Sequence, residues 1–208
     1  MSIYVEPNGN VIVRAPDTIN LDKINNIVDL KAYWIYKAIA EIKELNKTKV
    51  IRSFVNGEGF LYLGKSYRLK IAKNQKCPLS LKQGYFLLDE NELHKSRDHF
   101  INFYKTKAEQ HVKKRVKYFK KKIGVEPEKI RVMKLGNRWA SRSKTGLNFH
   151  WKIMLAPITV IDYIIVHELV HFKKEGHSHE FWEIVESLLP DYAKKRNWLR
   201  LNGANLNI

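Results

Sequence analysis

The sequence predicts an α+β fold with a β-rich front half, and three observations lead there. Up to residue 88, short apolar runs are separated by Asn-Gly, Gly-Lys and Gln-Gly turns, the pattern of hairpins. Beyond it, apolar residues recur every three or four positions through long stretches, the pattern of helices packed on one side. With 208 residues, 44% of them hydrophobic and 12% aromatic, the chain can bury a substantial core. No internal repeat and no Ser- or Pro-rich linker interrupts it. A single unit is expected, with a β-rich part carrying one helix over residues 1–88 and a second part over 89–208.

Each element follows from local chemistry. Ile3–Val5 and Val11–Val13 flank Asn8-Gly9-Asn10 and read as a first hairpin. Asn20 can cap a helix to about Asn46, with Ile24, Ile27, Val28, Trp34, Ile35, Ala38, Ile39 and Ile42 on its apolar side. Phe60–Leu63 and Tyr67–Ile71 form a second hairpin, and Leu79–Leu81 with Tyr85–Leu88 a third. A long basic helix starts at Asp89 or Asn91 and stops at Gly124. Leu93, Phe100, Phe103, Tyr104, Ala108, Val112, Val116 and Phe119 form its core-facing stripe. Strands are expected at Ile130–Leu135, around Trp139–Ser141 and at Leu147–Ile153, then helices from Pro157 to about Lys174, Ser178 to Leu189 and Tyr192 to Trp198.

Composition narrows the setting. No stretch approaches the ~20 apolar residues of a membrane span, and the first seven residues lack the basic and apolar regions of a signal peptide. Cys77 is the single cysteine, so no internal disulfide forms, and a cytoplasmic location is the simplest expectation. A net charge of +17 clusters at Lys105–Lys122 and Lys194-Lys195-Arg196 and would attract polyanions. Nucleic acid or a nucleotide is therefore a possible partner by charge, although lysine-filled solvated faces have the same composition.

One segment carries chemistry. His167-Glu168-Leu169-Val170-His171 lies in the apolar helix beginning at Pro157. Residues four apart share a helix face, so both imidazoles can reach one ion, while Glu168 sits about 100° round from His167. From that position it can hold a water but is poorly placed as a ligand. A third ligand needs the chain to turn, and Gly176 suits a turn of positive φ. His177 and His179 follow it and are both open as that ligand. Three histidines with a free fourth position suit a catalytic zinc, Zn2+.

Several strings resemble a known family. Gly59-Phe60-Leu61-Tyr62-Leu63-Gly64-Lys65-Ser66-Tyr67-Arg68-Leu69 resembles the front-half hairpin of the YgjP-like metallopeptidases. Arg138-Trp139-Ala140-Ser141-Arg142-Ser143 is similar to their Arg-Trp-Gly-Ser-Cys-Ser motif, and Gly146-Leu147-Asn148 to their Gly-x-x-Leu-Asn strand. Ala156-Pro157, Asp162-Tyr163, the His167–His171 motif, His177-Ser178, Phe181-Trp182, Pro190 and Trp198-Leu199 continue the pattern over nearly the whole chain. The resemblance implies a zincin-like catalytic core related to SprT-like and minimal gluzincin-like proteases. It implies His167, His171 and His177 as zinc ligands, Glu168 as catalytic base, and a peptide or protein substrate. Ala140 and Arg142 stand where the family has glycine and cysteine, so any function of that cysteine is absent.

These residues support peptide hydrolysis, with Glu168 taking a proton from the attacking water and passing it to the leaving amine. Arg138 or Tyr163 could steady a developing oxyanion. Leu147-Asn148-Phe149 could be an edge strand that pairs with an extended substrate. Glu183, Glu186 and Asp191 could support the ligands from behind but read more simply as helix-surface acids. Two alternatives stand beside the peptidase: a metal-dependent nucleotide phosphohydrolase of the pyrophosphatase type, and a DNA-associated SprT-like protease.

Overall fold

The computed structural model describes residues 1–6, 9–47, 52–136 and 138–208. It has two compact units, Met1–Val50 and Ile51–Ile208. In the first, strands β1 (Ser2–Val5) and β2 (Val11–Arg14) pair antiparallel, with Ile3 opposite Val13. Helices α1 (Leu21–Leu30) and α2 (Ala32–Lys47) follow, and the Asn20 side chain accepts from the Asp22 amide as a cap. The expected single helix is thus broken at Lys31, where the backbone leaves helical geometry. Neither Pro nor Gly stands there to signal it. Asn8 and Ile42 lie outside the residues or side chains described.

The second unit begins with a four-stranded sheet ordered β3-β4-β6-β5. Its strands are β3 (Gly59–Tyr62), β4 (Lys65–Ala72), β5 (Leu79–Lys82) and β6 (Tyr85–Asp89). Leu63 and Gly64, and again Gln83 and Gly84, have positive φ, the geometry of tight hairpin turns. Both expected hairpins form, and β4 joins them by pairing parallel to β6.

This sheet packs on α3 (Ser96–Ile123), a 28-residue helix closed by Gly124 at φ 73°. Phe60 stacks on Phe100 at 4.2 Å, and the Tyr104 hydroxyl donates to the Leu61 carbonyl at 2.6 Å. Phe60, Phe86 and Leu88 are buried in one core with Phe100, Tyr104 and Val112. Such continuous burial is why the compact units divide after Val50 and not after residue 88. Leu93 departs from the expected stripe. Asp89 caps a 3-10 helix, Glu90–Lys95, ahead of α3, and its tighter turn leaves Leu93 40% exposed.

A second sheet has the order β7-β9-β8, with β7 (Lys129–Met133), β8 (Ala140–Arg142) and β9 (Gly146–His150). Asn148 lies opposite both Arg131 and Ser141, so its strand is central and the expectation of an edge strand there fails. The edges belong to β7 and β8. Strand β9 also ends earlier than expected, because His150 caps the buried 3-10 helix Trp151–Leu155.

Helix α4 (Ile158–Val170) crosses the core and is buried on nearly every side. Asp162, buried on this helix, accepts two hydrogen bonds of 2.6 Å from Arg115 of α3. That bidentate pairing offsets much of the desolvation of both groups. The β3–β4 turn docks just before α4, with the Leu63 amide donating to the Met154 carbonyl at 2.7 Å. Gly64 is needed there twice over: its φ is +78°, and a Cβ would lie within 3.0 Å of Pro157. Helices α5 (His179–Leu188) and α6 (Tyr192–Asn202) complete the unit. Among the described residues no helix is long and apolar enough to cross a membrane.

Candidate metal centre

His167 is on the last turn of α4 and His171 caps it, so one helix face presents both rings. The chain then turns through Gly176, whose φ of +126° strains any other residue type. The Ser178 side chain accepts from the Phe181 amide and restarts the chain as α5. Between these two ends His177 is brought back over α4. Its Nε2 lies 3.1 Å from His167 Nε2, and His171 Nε2 lies 3.2 Å from the same atom. No other His, Cys, Asp or Glu among the described residues joins the three.

The donor set fits a tetrahedral ion. Zinc–nitrogen bonds of 2.0–2.1 Å at tetrahedral angles separate ligand nitrogens by about 3.3 Å, close to the observed spacing. His171 Nδ1 lies 3.3 Å from the Lys174 carbonyl, which keeps its proton on Nδ1 and its Nε2 lone pair on the cluster. All three rings are held neutral, as ligands must be. Burial first, then repulsion from His171, His177 and Arg196, lowers the pKa of His167 to about 3. Burial lowers His171 and His177 as well. His167 Nδ1 is buried without a hydrogen-bond partner among the described residues. His177 is exposed, so the cluster opens to solvent on that side.

His179 has no part in the cluster. Its side chain is 86% exposed and its Nδ1 lies 3.5 Å from Glu183. Of the acids on the following helices, Glu183 pairs with His179 and Asp191 with Lys195, as helix-surface acids do.

Glu168 points to other neighbours. Burial pushes its carboxyl up to about 7, opposed by Arg138, Arg142 and the Arg142 backbone amide, which donates to it. A group so poised exchanges a proton readily near neutrality. Because that amide belongs to β8, the outer edge of the sheet faces Glu168. Tyr163, four residues before His167, has its ring 5.8 Å from that imidazole. Burial raises its hydroxyl to about 12, so it remains a neutral donor. Asn148 is half-buried in the sheet interior, away from the edge the substrate role required.

Three neighbours were given no role by the sequence reading. The Phe181 ring lies 5.1, 4.6 and 4.9 Å from His167, His171 and His177 and forms the floor of the cluster. Trp182 stacks on His177 at 5.5 Å, and Arg196 of α6 lies 5.1 Å over the Trp182 ring. The signal for Arg196 was its place on the second helix after the motif, hidden in a lysine-rich run.

A buried helix that aims three neutral imidazoles at one point, beside a carboxyl poised near neutrality, defines a metal-dependent hydrolase architecture. A family model described as "YgjP-like, metallopeptidase domain" matches residues 1–202, and the chain belongs to that family. No match was found among curated proteins. Among solved structures, the metallopeptidase zymogen of Pyrococcus abyssi abylysin is 27% identical, with a TM-score of 0.39. That match covers 44% of this chain and 95% of the other.

Proposed function

We propose that the protein is a zinc-dependent peptidase in which His167, His171 and His177 hold the ion and Glu168 is the general base. The observation that carries this is a trio of imidazole nitrogens within 4.8 Å of one another, two of them 3.1 and 3.2 Å from His167 Nε2, beside a largely buried carboxyl held near neutrality. Zinc supplies polarisation of the substrate carbonyl and acidification of the attacking water. Glu168 accepts the water's proton as its oxygen attacks the carbonyl carbon, then delivers it to the departing amine. Arg138 and Arg142 favour the ionised form of Glu168 and so keep it ready to accept. Tyr163, neutral and adjacent to His167, donates to the developing oxyanion. An extended substrate pairs with β8, the edge strand facing Glu168, and not with the strand around Asn148.

Glu168→Gln tests the assignment. The variant should bind one equivalent of zinc like the parent, by metal analysis after dialysis, while peptide hydrolysis falls by roughly 10²–10⁴-fold. Retained hydrolysis would remove Glu168 from the base role.

A further inference from the structure

The metal cluster is surrounded by guanidinium groups from two separate elements packed on α4. Arg138 just before β8 and Arg142 at its end act on Glu168, and Arg196 reaches from α6 over Trp182. Arg142 is partly satisfied, with Glu175 at 3.3 Å and the Phe172 ring 5.5 Å below its guanidinium. Arg196 has no ion-pair partner among the described residues, and the carboxylate that Arg138 acts on is Glu168 itself.

Nearby acids do not compensate. Glu180 is paired with Lys174 at 3.4 Å, Asp191 with Lys195, and Glu183 with His179. Arg196 is nevertheless held in place. Its guanidinium lies on an indole that is itself stacked against His177 at 5.5 Å and Tyr192 at 5.1 Å. Stacking of this kind occupies the face of the guanidinium and leaves its N–H edge free for a bidentate carboxylate. A fixed cation close to three metal-ligating imidazoles also opposes the ion they bind. An anionic ligand arriving at the same place offsets that repulsion.

Building on the peptidase reading, we propose that the substrate is an acidic peptide whose Asp or Glu side chains, near the scissile bond, are bound by Arg196 and Arg138. Arginine makes these contacts directional, which distinguishes them from the diffuse attraction of a chain carrying +17.

The test reads binding without turnover. Zinc-loaded Glu168→Gln protein is titrated with fluorescent decapeptides of one sequence, carrying either Asp and Glu or Asn and Gln, and anisotropy is recorded at near-physiological salt. The acidic peptide should bind about tenfold tighter or more. Adding Arg196→Gln should abolish most of that preference, and Arg196→Lys should restore only part. Lys113→Gln/Lys117→Gln on α3, remote from the cluster, should preserve it. Equal binding of the two peptides overturns the proposal, as does an equal loss in the α3 variant. Tighter binding of a nucleoside triphosphate, lost with Arg196, also overturns it and reassigns the arginines to phosphate. Hydrolysis of the same peptides by unaltered protein is measured separately. Failure there, with the binding preference intact, counts against the peptidase chemistry alone.

Discussion

At the scale of single residues, the cluster depends on which histidine follows Gly176. Sequence chemistry could not choose between His177 and His179, because the turn between α4 and α5 decides which ring points back. Family resemblance implies His177; in the structure its Nε2 lies 3.1 Å from His167 Nε2, whereas His179 is turned to solvent. His177→Ala should lower zinc affinity by more than the roughly 10–100-fold that loss of a supporting partner produces. His179→Ala should leave it unchanged. Competition with a chromophoric chelator measures both, and equal affinities in the two variants would contradict the assignment. His167, Glu168 and His171 were legible because helical spacing alone places them. Arg196 and Phe181 were not, since tertiary packing brings them in from neighbouring helices.

Elements were legible where local chemistry set their ends. Asn20, Gly124 and Ser178 cap helices as their side chains or backbone freedom suggest. The parallel pairings of β4 with β6 and β7 with β9 were not legible, because each passes over an intervening strand instead of joining hairpin neighbours. The pairing of β7 with β9 makes Asn148 central and leaves β7 and β8 at the edges.

His150, at the end of β9, gives this junction a pH signature. Its Nδ1 accepts from the Lys152 amide at 3.0 Å. Burial first, then repulsion from Lys152 and Lys134, lowers its pKa from 6.5 to about 4. The unfolded chain therefore binds a proton more readily than the folded one. Stability from this residue is complete above pH 6.5 and is lost as pH falls toward 4. His150→Asn can keep the cap without the titration. Denaturant melts in chelator should show the parent losing on the order of 2 kcal/mol more than the variant over that interval. Parallel pH profiles would dismiss this account.

For the molecule as a whole, the α+β class was visible in periodicity, while the division into compact units was not. Residues 52–88 alternate like a separate sheet, yet their apolar side joins the core of α3. The metal cluster ties α4 to the start of α5 across the Gly176 turn, so ion binding acts on the folded state of the second unit. Zinc at about a thousand times its dissociation constant should stabilise folding by about 4 kcal/mol. Scanning calorimetry with and without EDTA checks this. An identical Tm in the two conditions would mean that the histidines hold no ion.

The Phe181 floor carries one more consequence. Its benzene ring wedges under all three imidazoles and is wholly buried. A buried hydrocarbon thus fixes how closely the three rings can approach from below, and spreading them would require α5 to shift. The spacing of the nitrogen donors is therefore a mechanical property of helix packing as much as of the motif that supplies them.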